Sequence, residues 1–145
     1  MLLSGIVSLT QRNISVDEMI KLIKDSGLRG VEWSSNCHVP ETDTAFAAEV
    51  REKCKAADIT IFSYGCYYKL GEGMDRKPVI DTAVALGAPN IRIWAGTKNS
   101  EDVDEARRAE LVKEAQEFAD DAKAHGIDVS FDETFTAKFI KIAKK

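Results

Sequence analysis

Much that would mark a specialised protein is missing from this sequence. It has three cysteines in 145 residues, Cys37, Cys54 and Cys66, an odd number without CxxC pairing. That excludes a disulfide-stapled framework, and the three read as reduced thiols of a cytoplasmic protein. Cys37, His38 and Cys66 are zinc-ligand types, but no zinc-site spacing joins them. No apolar run approaches the roughly 18 residues of a membrane span. The N-terminus has no basic segment leading into a long apolar one, so neither a membrane partner nor a signal peptide is expected. Excess positive charge is absent as well: 20 Lys and Arg against 24 Asp and Glu give a net charge of −4. A nucleic-acid partner would favour a basic surface instead. The glycine-containing stretches "GEG" and "AGTKNS" lack the GxxxxGK[ST] pattern of a phosphate-cradling loop. No linker or low-complexity segment interrupts the chain.

What is present is material for a core. Hydrophobic residues make up 44% of the chain, ordinary for a globular protein, and the length suits a single domain over residues 1–145. Four segments share one grammar: "SGLRGVEW", "AADITIFSYG", "LGAPNIRIWAG" and "HGIDVSF". Each is the end of a helical pattern, a break and a β-rich apolar run; "LLSGIVS" is a fifth run without a preceding helix. The spacing of about 30–40 residues is that of a βα unit. Strands are expected near residues 2–8, 29–34, 59–65, 90–95 and 127–132, in chain order and parallel. Helix signals fill the gaps. Ser15 with Glu18 forms a capping box and Gly27 closes that helix. A second helix is expected from Asp43 to Ala57, and a third from Pro78 to Gly87. A fourth is expected from Glu101 to His125, stopped by Gly126. The sequence therefore predicts an α/β fold with a parallel sheet.

Strand parity sorts the side chains by face. Ile91 and Ile93 oppose Asn90, Arg92 and Trp94. Val129 and Phe131 oppose Asp128, Ser130 and Asp132. Val31 and Trp33 oppose Glu32 and Ser34. One apolar face and one face carrying Glu32, Arg92 and Asp132 favour a barrel wall with outer helices over a doubly wound sheet, whose strands are apolar on both sides. Glu32 and Arg92 read either as a buried ion pair or as part of a site. Asp132, at the carboxyl end of its strand, reads either as a functional acid or as a helix N-cap.

Aromatic residues gather after the strand ends: Trp33, then Tyr64, Tyr67 and Tyr68, then Trp94. Aromatic faces stack on the apolar faces of sugar rings, and the alternative is loop packing. Trp33, His38, Tyr67, Tyr68, Trp94 and Lys98 are the candidate substrate-binding residues; Lys69 and Lys98 could hold an anionic group as point charges. His125, beside the helix stop, reads as a C-terminal charge. His38, in "NCHVP", has no such explanation.

Taken in order, "GVEWSSNCHVP", "SYGCYYKLG", "NIRIWAGTKNS" and "HGIDVSF" resemble the xylose isomerase-like TIM barrels, and within them the bacterial sugar phosphate isomerase/epimerase group. The resemblance covers about residues 3–131. It implies a (β/α)₈ barrel of which this chain supplies the N-terminal portion, a partial barrel of about five parallel strands with outer helices. It also implies a divalent metal (Mn, Mg, Co or Zn) and proton transfer beside a carbonyl of a sugar or sugar phosphate. The metal is held by a glutamate ending strand five and by an aspartate, a histidine and a second glutamate on later strands. The first of these falls at Asp132, the candidate catalytic and metal-ligating residue, with Glu133 as the weaker alternative one position late. The stretch "FDETFTAKFIKIAKK" departs from the family pattern, and residues 133–145 read as an atypical tail that interrupts the site. Two functions follow: an isomerase or epimerase portion lacking most of its catalytic site, or a non-catalytic partial barrel that binds a sugar or a protein, with a homodimer expected from the open sheet edges. The related apurinic-site endonucleases fit the acidic charge and scarce histidines poorly.

Overall fold

The computed structural model of the protein describes residues 3–132, without the side chain of residue 100. Strands and helices alternate along them: β1 (Gly5–Val7), α1 (Val16–Asp25), β2 (Gly30–Ser34), α2 (Thr44–Ala56), β3 (Thr60–Lys69), α3 (Lys77–Leu86), β4 (Asn90–Trp94), α4 (Glu105–Lys123) and β5 (Asp128–Phe131). All five strands pair in parallel and in chain order, leaving β1 and β5 as the edges of one sheet.

The helices start where local chemistry satisfies their free N–H groups. Ser15 accepts from Glu18 N while the Glu18 carboxylate accepts from Ser15 N, closing the capping box of α1. Asp43 accepts from Phe46 N at the head of α2. Asp104 accepts from Arg107 N at 2.8 Å, so α4 begins at Glu105 rather than at Glu101. Residues Ser100–Asp102 form a separate 3₁₀ turn. Gly87 stops α3 in the left-handed region, φ 72°, where a residue with a Cβ would be strained.

One face of the sheet lies under the helices. Val31, Trp33, Tyr64, Ile91 and Ile93 are fully buried there. Against them α1 presents Met19 and Ile23, and α4 a stripe of Leu111, Ala115, Phe118 and Ala122, the spacing of one helical face. Each large side chain so buried contributes about 1.5–3 kcal/mol. Val129 and Phe131 pack at the margin of this core, half-buried.

β3 is longer than its sequence pattern suggests. It gains a residue beside β2 near Phe62, and beside β4 the pairing lapses after Gly65 and resumes at Lys69 with Trp94. Leu70 N donates to the Trp94 carbonyl at 3.1 Å, carrying the strand past the expected end at residue 65. None of the described helices is long and apolar enough to cross a membrane.

Candidate functional site

The face opposite the helices is built in tiers, because residues two apart on a strand share a side. In the lowest tier the Phe62 ring lies over Gly5 and Gly30; a Cβ on either would fall within 2.4 Å of it. Next, Asn90 Nδ2 donates to Ser63 Oγ and Ser130 Oγ, both at 2.9 Å, joining β3, β4 and β5. Above that lies the charged tier. Arg92 Nε and Nη2 donate to Oε1 of Glu32 at 3.0 and 2.7 Å, and Nη1 donates to Asp132 Oδ2 at 2.5 Å. The three side chains are only 24%, 14% and 21% exposed. Burial opposes the guanidinium charge, but the Glu32 and Asp132 carboxylates outweigh it and hold Arg92 above its ordinary value. Parity thus puts Glu32, Arg92 and Asp132 on one face, and the structure joins them into a single network.

The top tier is aromatic. Tyr67 and Trp94 stack with ring centroids 5.8 Å apart and planes 25° from parallel. Tyr67 is exposed and Trp94 half-buried. Tyr67 N is anchored by the Glu41 carboxylate at 3.3 Å. This pair stands at the carboxyl ends of β3 and β4, where barrels of this type bind ligands.

The other candidate aromatics lie elsewhere. Trp33 is fully buried in the core and meets His38 edge-on, ring centroids 5.5 Å apart. Tyr68 is buried too, packed on Phe118, with its hydroxyl donating to Glu114 at 2.7 Å; burial, then Glu114, pushes the phenol above its ordinary range. Tyr64 donates to the Val39 carbonyl inside the core. These three rings are packing residues on the helix side of the sheet. The alternation in "SYGCYYK" carries that signal, since Tyr64, Cys66 and Tyr68 share a parity that Tyr67 does not.

His38 is 4% exposed and fully engaged. Nε2 lies 3.0 Å from the Ile14 carbonyl, so Nε2 carries the proton. Nδ1 then accepts, from Ser8 Oγ and Cys37 Sγ, each at 3.0 Å. Ser8 Oγ in turn accepts from Ser34 N at 2.9 Å. Burial pushes the imidazole below its ordinary value, while the Ile14 carbonyl acts in the opposite direction. His38 pins the 3₁₀ turn after β1 to the end of β2 and does not face the Tyr67–Trp94 pair. Lys98 lines a separate cavity of about 180 Å³ with Glu72, Asp102 and Arg107, bordered by neither Arg92 nor Trp94. Glu133 and the tail at 133–145 lie outside the described residues.

The metal implied by the family resemblance was tested against these donors. Among the described residues no group of three or more His, Cys, Asp or Glu is placed to hold a metal ion. Asp132, the ligand position expected from the resemblance, has a guanidinium against it. The described residues do not fit a metal centre.

A parallel sheet in chain order, outer helices, a polar inner face and an aromatic rim at the strand ends define the wall of a (β/α) barrel. The chain belongs to the xylose isomerase-like TIM barrel family, whose model matches residues 20–141. No curated protein matches it by sequence. Among solved structures it is similar to the probable 3-DHS dehydratase AsbF involved in petrobactin synthesis from Bacillus anthracis. There the identity is 15% and the TM-score 0.80, over 99% of this chain and 60% of that one. It is similar to a D-psicose 3-epimerase studied in the presence of D-fructose, at 16% identity and TM-score 0.75, over 99% of this chain and 61% of that one. The IOLI protein with a bound zinc atom aligns at 10% identity and TM-score 0.77, over 99% and 60%. The chain therefore spans about 60% of the length of these barrels. At such identities the likeness establishes the fold, a partial barrel of five parallel strands.

Proposed function

We propose that this chain is the substrate-side wall of an isomerase or epimerase barrel acting on sugars or sugar phosphates. The observation that carries this reading is the stacked Tyr67–Trp94 pair at the carboxyl ends of β3 and β4, in a family whose structural neighbours include epimerases. Ring faces at that edge suit the apolar face of a sugar. The charged tier below supplies donors and acceptors for hydroxyls. The reaction class is proton transfer beside a carbonyl. The described residues contain one family-matched acid for it, Asp132, so turnover by such a barrel draws on residues beyond those described.

A second reading is a sugar-binding partial barrel without catalysis, favoured by the engagement of Asp132 with Arg92. Both readings require sugar binding at the Tyr67–Trp94 end. Titration with millimolar D-fructose and D-fructose 6-phosphate, followed by tryptophan fluorescence, tests it. Trp94 should respond, and Trp94→Phe should abolish the response, because Trp33 is fully buried in the core. A folded chain with no response at these concentrations rules out the sugar site. Deuterium uptake from D₂O into bound ketose then separates catalysis from binding.

A further inference from the structure

The Glu32–Arg92–Asp132 tier carries more hydrogen-bonding capacity than an ion pair uses. Oε1 of Glu32 takes both bonds from Arg92. Oε2 takes none. Among the described residues the only buried side-chain nitrogen or oxygen without a hydrogen bond is Nε1 of Trp33. Oε2 is therefore an acceptor open to the space over the sheet. A guanidinium has five N–H donors in a fixed fork. Arg92 spends Nε–H, one N–H of Nη2 and one of Nη1, leaving one on each terminal nitrogen. Two carboxylates around one cation also leave the tier rich in acceptors.

Gly65 lies beneath the pair on β3, and a Cβ there would stand 2.6 Å from Glu32 Oε1 and 2.9 Å from Arg92 Nη2. Trp94 follows Arg92 by two residues on β4 and so shares its face, about 7 Å further along the strand. A sugar ring lying on the aromatic pair has its edge hydroxyls within reach of the charged tier at that separation.

We infer that Glu32 and Arg92 form a hydroxyl-recognition site that reads a pair of adjacent ligand hydroxyls. Oε2 of Glu32 accepts from one hydroxyl, and a free N–H of Arg92 donates to its neighbour. Asp132 holds the guanidinium in place from the other side. The assignment rests on the sugar-binding reading above and adds to it the residues that set specificity. A hydroxyl donor facing a carboxylate and a hydroxyl acceptor facing a guanidinium suit a vicinal diol. A site built this way penalises a ligand lacking either hydroxyl, because a desolvated charged group is then left unpaired.

The test compares D-fructose with its 1-deoxy, 3-deoxy and 4-deoxy analogues by ligand-observed NMR on the full chain. Loss of one hydroxyl should weaken binding on the order of tenfold, the magnitude of one hydrogen bond to a charged group. Glu32→Gln keeps an amide oxygen on Arg92 and turns an NH₂ to the ligand. It should bind D-fructose about tenfold more weakly and no longer distinguish the discriminated analogue. Arg92→Lys should lose the same discrimination, and melting curves verify that each variant is folded. A purely structural ion pair would not alter selectivity between ligands. If Trp94→Phe weakens binding while Glu32→Gln keeps full discrimination, the inference fails and the sugar-binding reading stands. Equal affinity of the unsubstituted chain for D-fructose and all three analogues overturns the inference without any variant. If the unsubstituted chain binds no D-fructose, both fall.

Discussion

The Arg92 guanidinium reaches across β3 to Glu32, with Nη2 2.7 Å from Oε1, over Gly65, the one residue of that strand without a side chain. The ion pair and the glycine are one device. A side chain at position 65 would occupy the space the pair needs, and the pair explains why a glycine is tolerated inside a strand.

Gly65→Ala should destabilise the chain. Its Cβ would meet Glu32 Oε1 at 2.6 Å, so the pair must shift. Overpacking of this kind costs about 1–3 kcal/mol. The urea midpoint should fall while the slope is kept, and an unchanged midpoint would show that the pair moves freely.

Arg92→Met should cost more. It removes the cation that, among the described residues, Glu32 and Asp132 share. Breaking a buried pair costs about 3–5 kcal/mol, and the 14% and 21% exposure of the two carboxylates points to the lower end. The double variant Glu32→Gln, Arg92→Met should lose less than the sum of the two singles, because the partners share one interaction. Additive losses would refute the coupling.

His38 should make stability depend on pH. Unfolded, it takes up a proton near pH 6.5; folded, burial lowers that value. The unfolded chain therefore binds more protons in the window between the two values. Stability should be level above about pH 6.5 and fall as pH drops below it, until the folded imidazole also protonates and Ser8 Oγ loses its acceptor. His38→Gln should flatten this part of the profile between pH 5 and 7. The same slope in the variant would assign it to other groups.

The three thiols should react in two classes. Cys54 and Cys66 are 1% exposed, and burial pushes the Cys66 thiol up to about 12 and raises that of Cys54. Cys37 is half-buried in the turn after β2. One equivalent of a disulfide reagent should react with the native chain at pH 8, and three only after unfolding. Cys37→Ser should remove the fast phase, and a residual fast equivalent would mean that the core opens locally.

Much of the fold is legible in the residues because it follows from local rules. The Ser15–Glu18 box, the Asp43 cap and the Gly87 stop each act within four positions of sequence. The fourth helix was less legible. Glu101 and Asp102 look like an acidic first turn, yet the Asp104 carboxylate takes the Arg107 N–H and sets the start at Glu105. Two acids within a few residues offer competing caps, and only the chain's path between β4 and α4 decides between them.

Sequence by itself determined the strand order, the helices between strands and the side of the sheet on which Glu32, Arg92 and Asp132 lie. Period-two alternation is a property of the extended backbone and needs no partner. Tertiary structure decided which aromatics meet. Trp33, Tyr64 and Tyr68 went under the helices because large apolar surfaces gain most from burial there, and the Tyr64 and Tyr68 hydroxyls found partners in Val39 and Glu114. Tyr67 and Trp94, 27 positions apart in the chain, became neighbours because β3 and β4 pair in parallel, which carries both to the same rim. That pairing is made between two strands, and neither strand's sequence contains it.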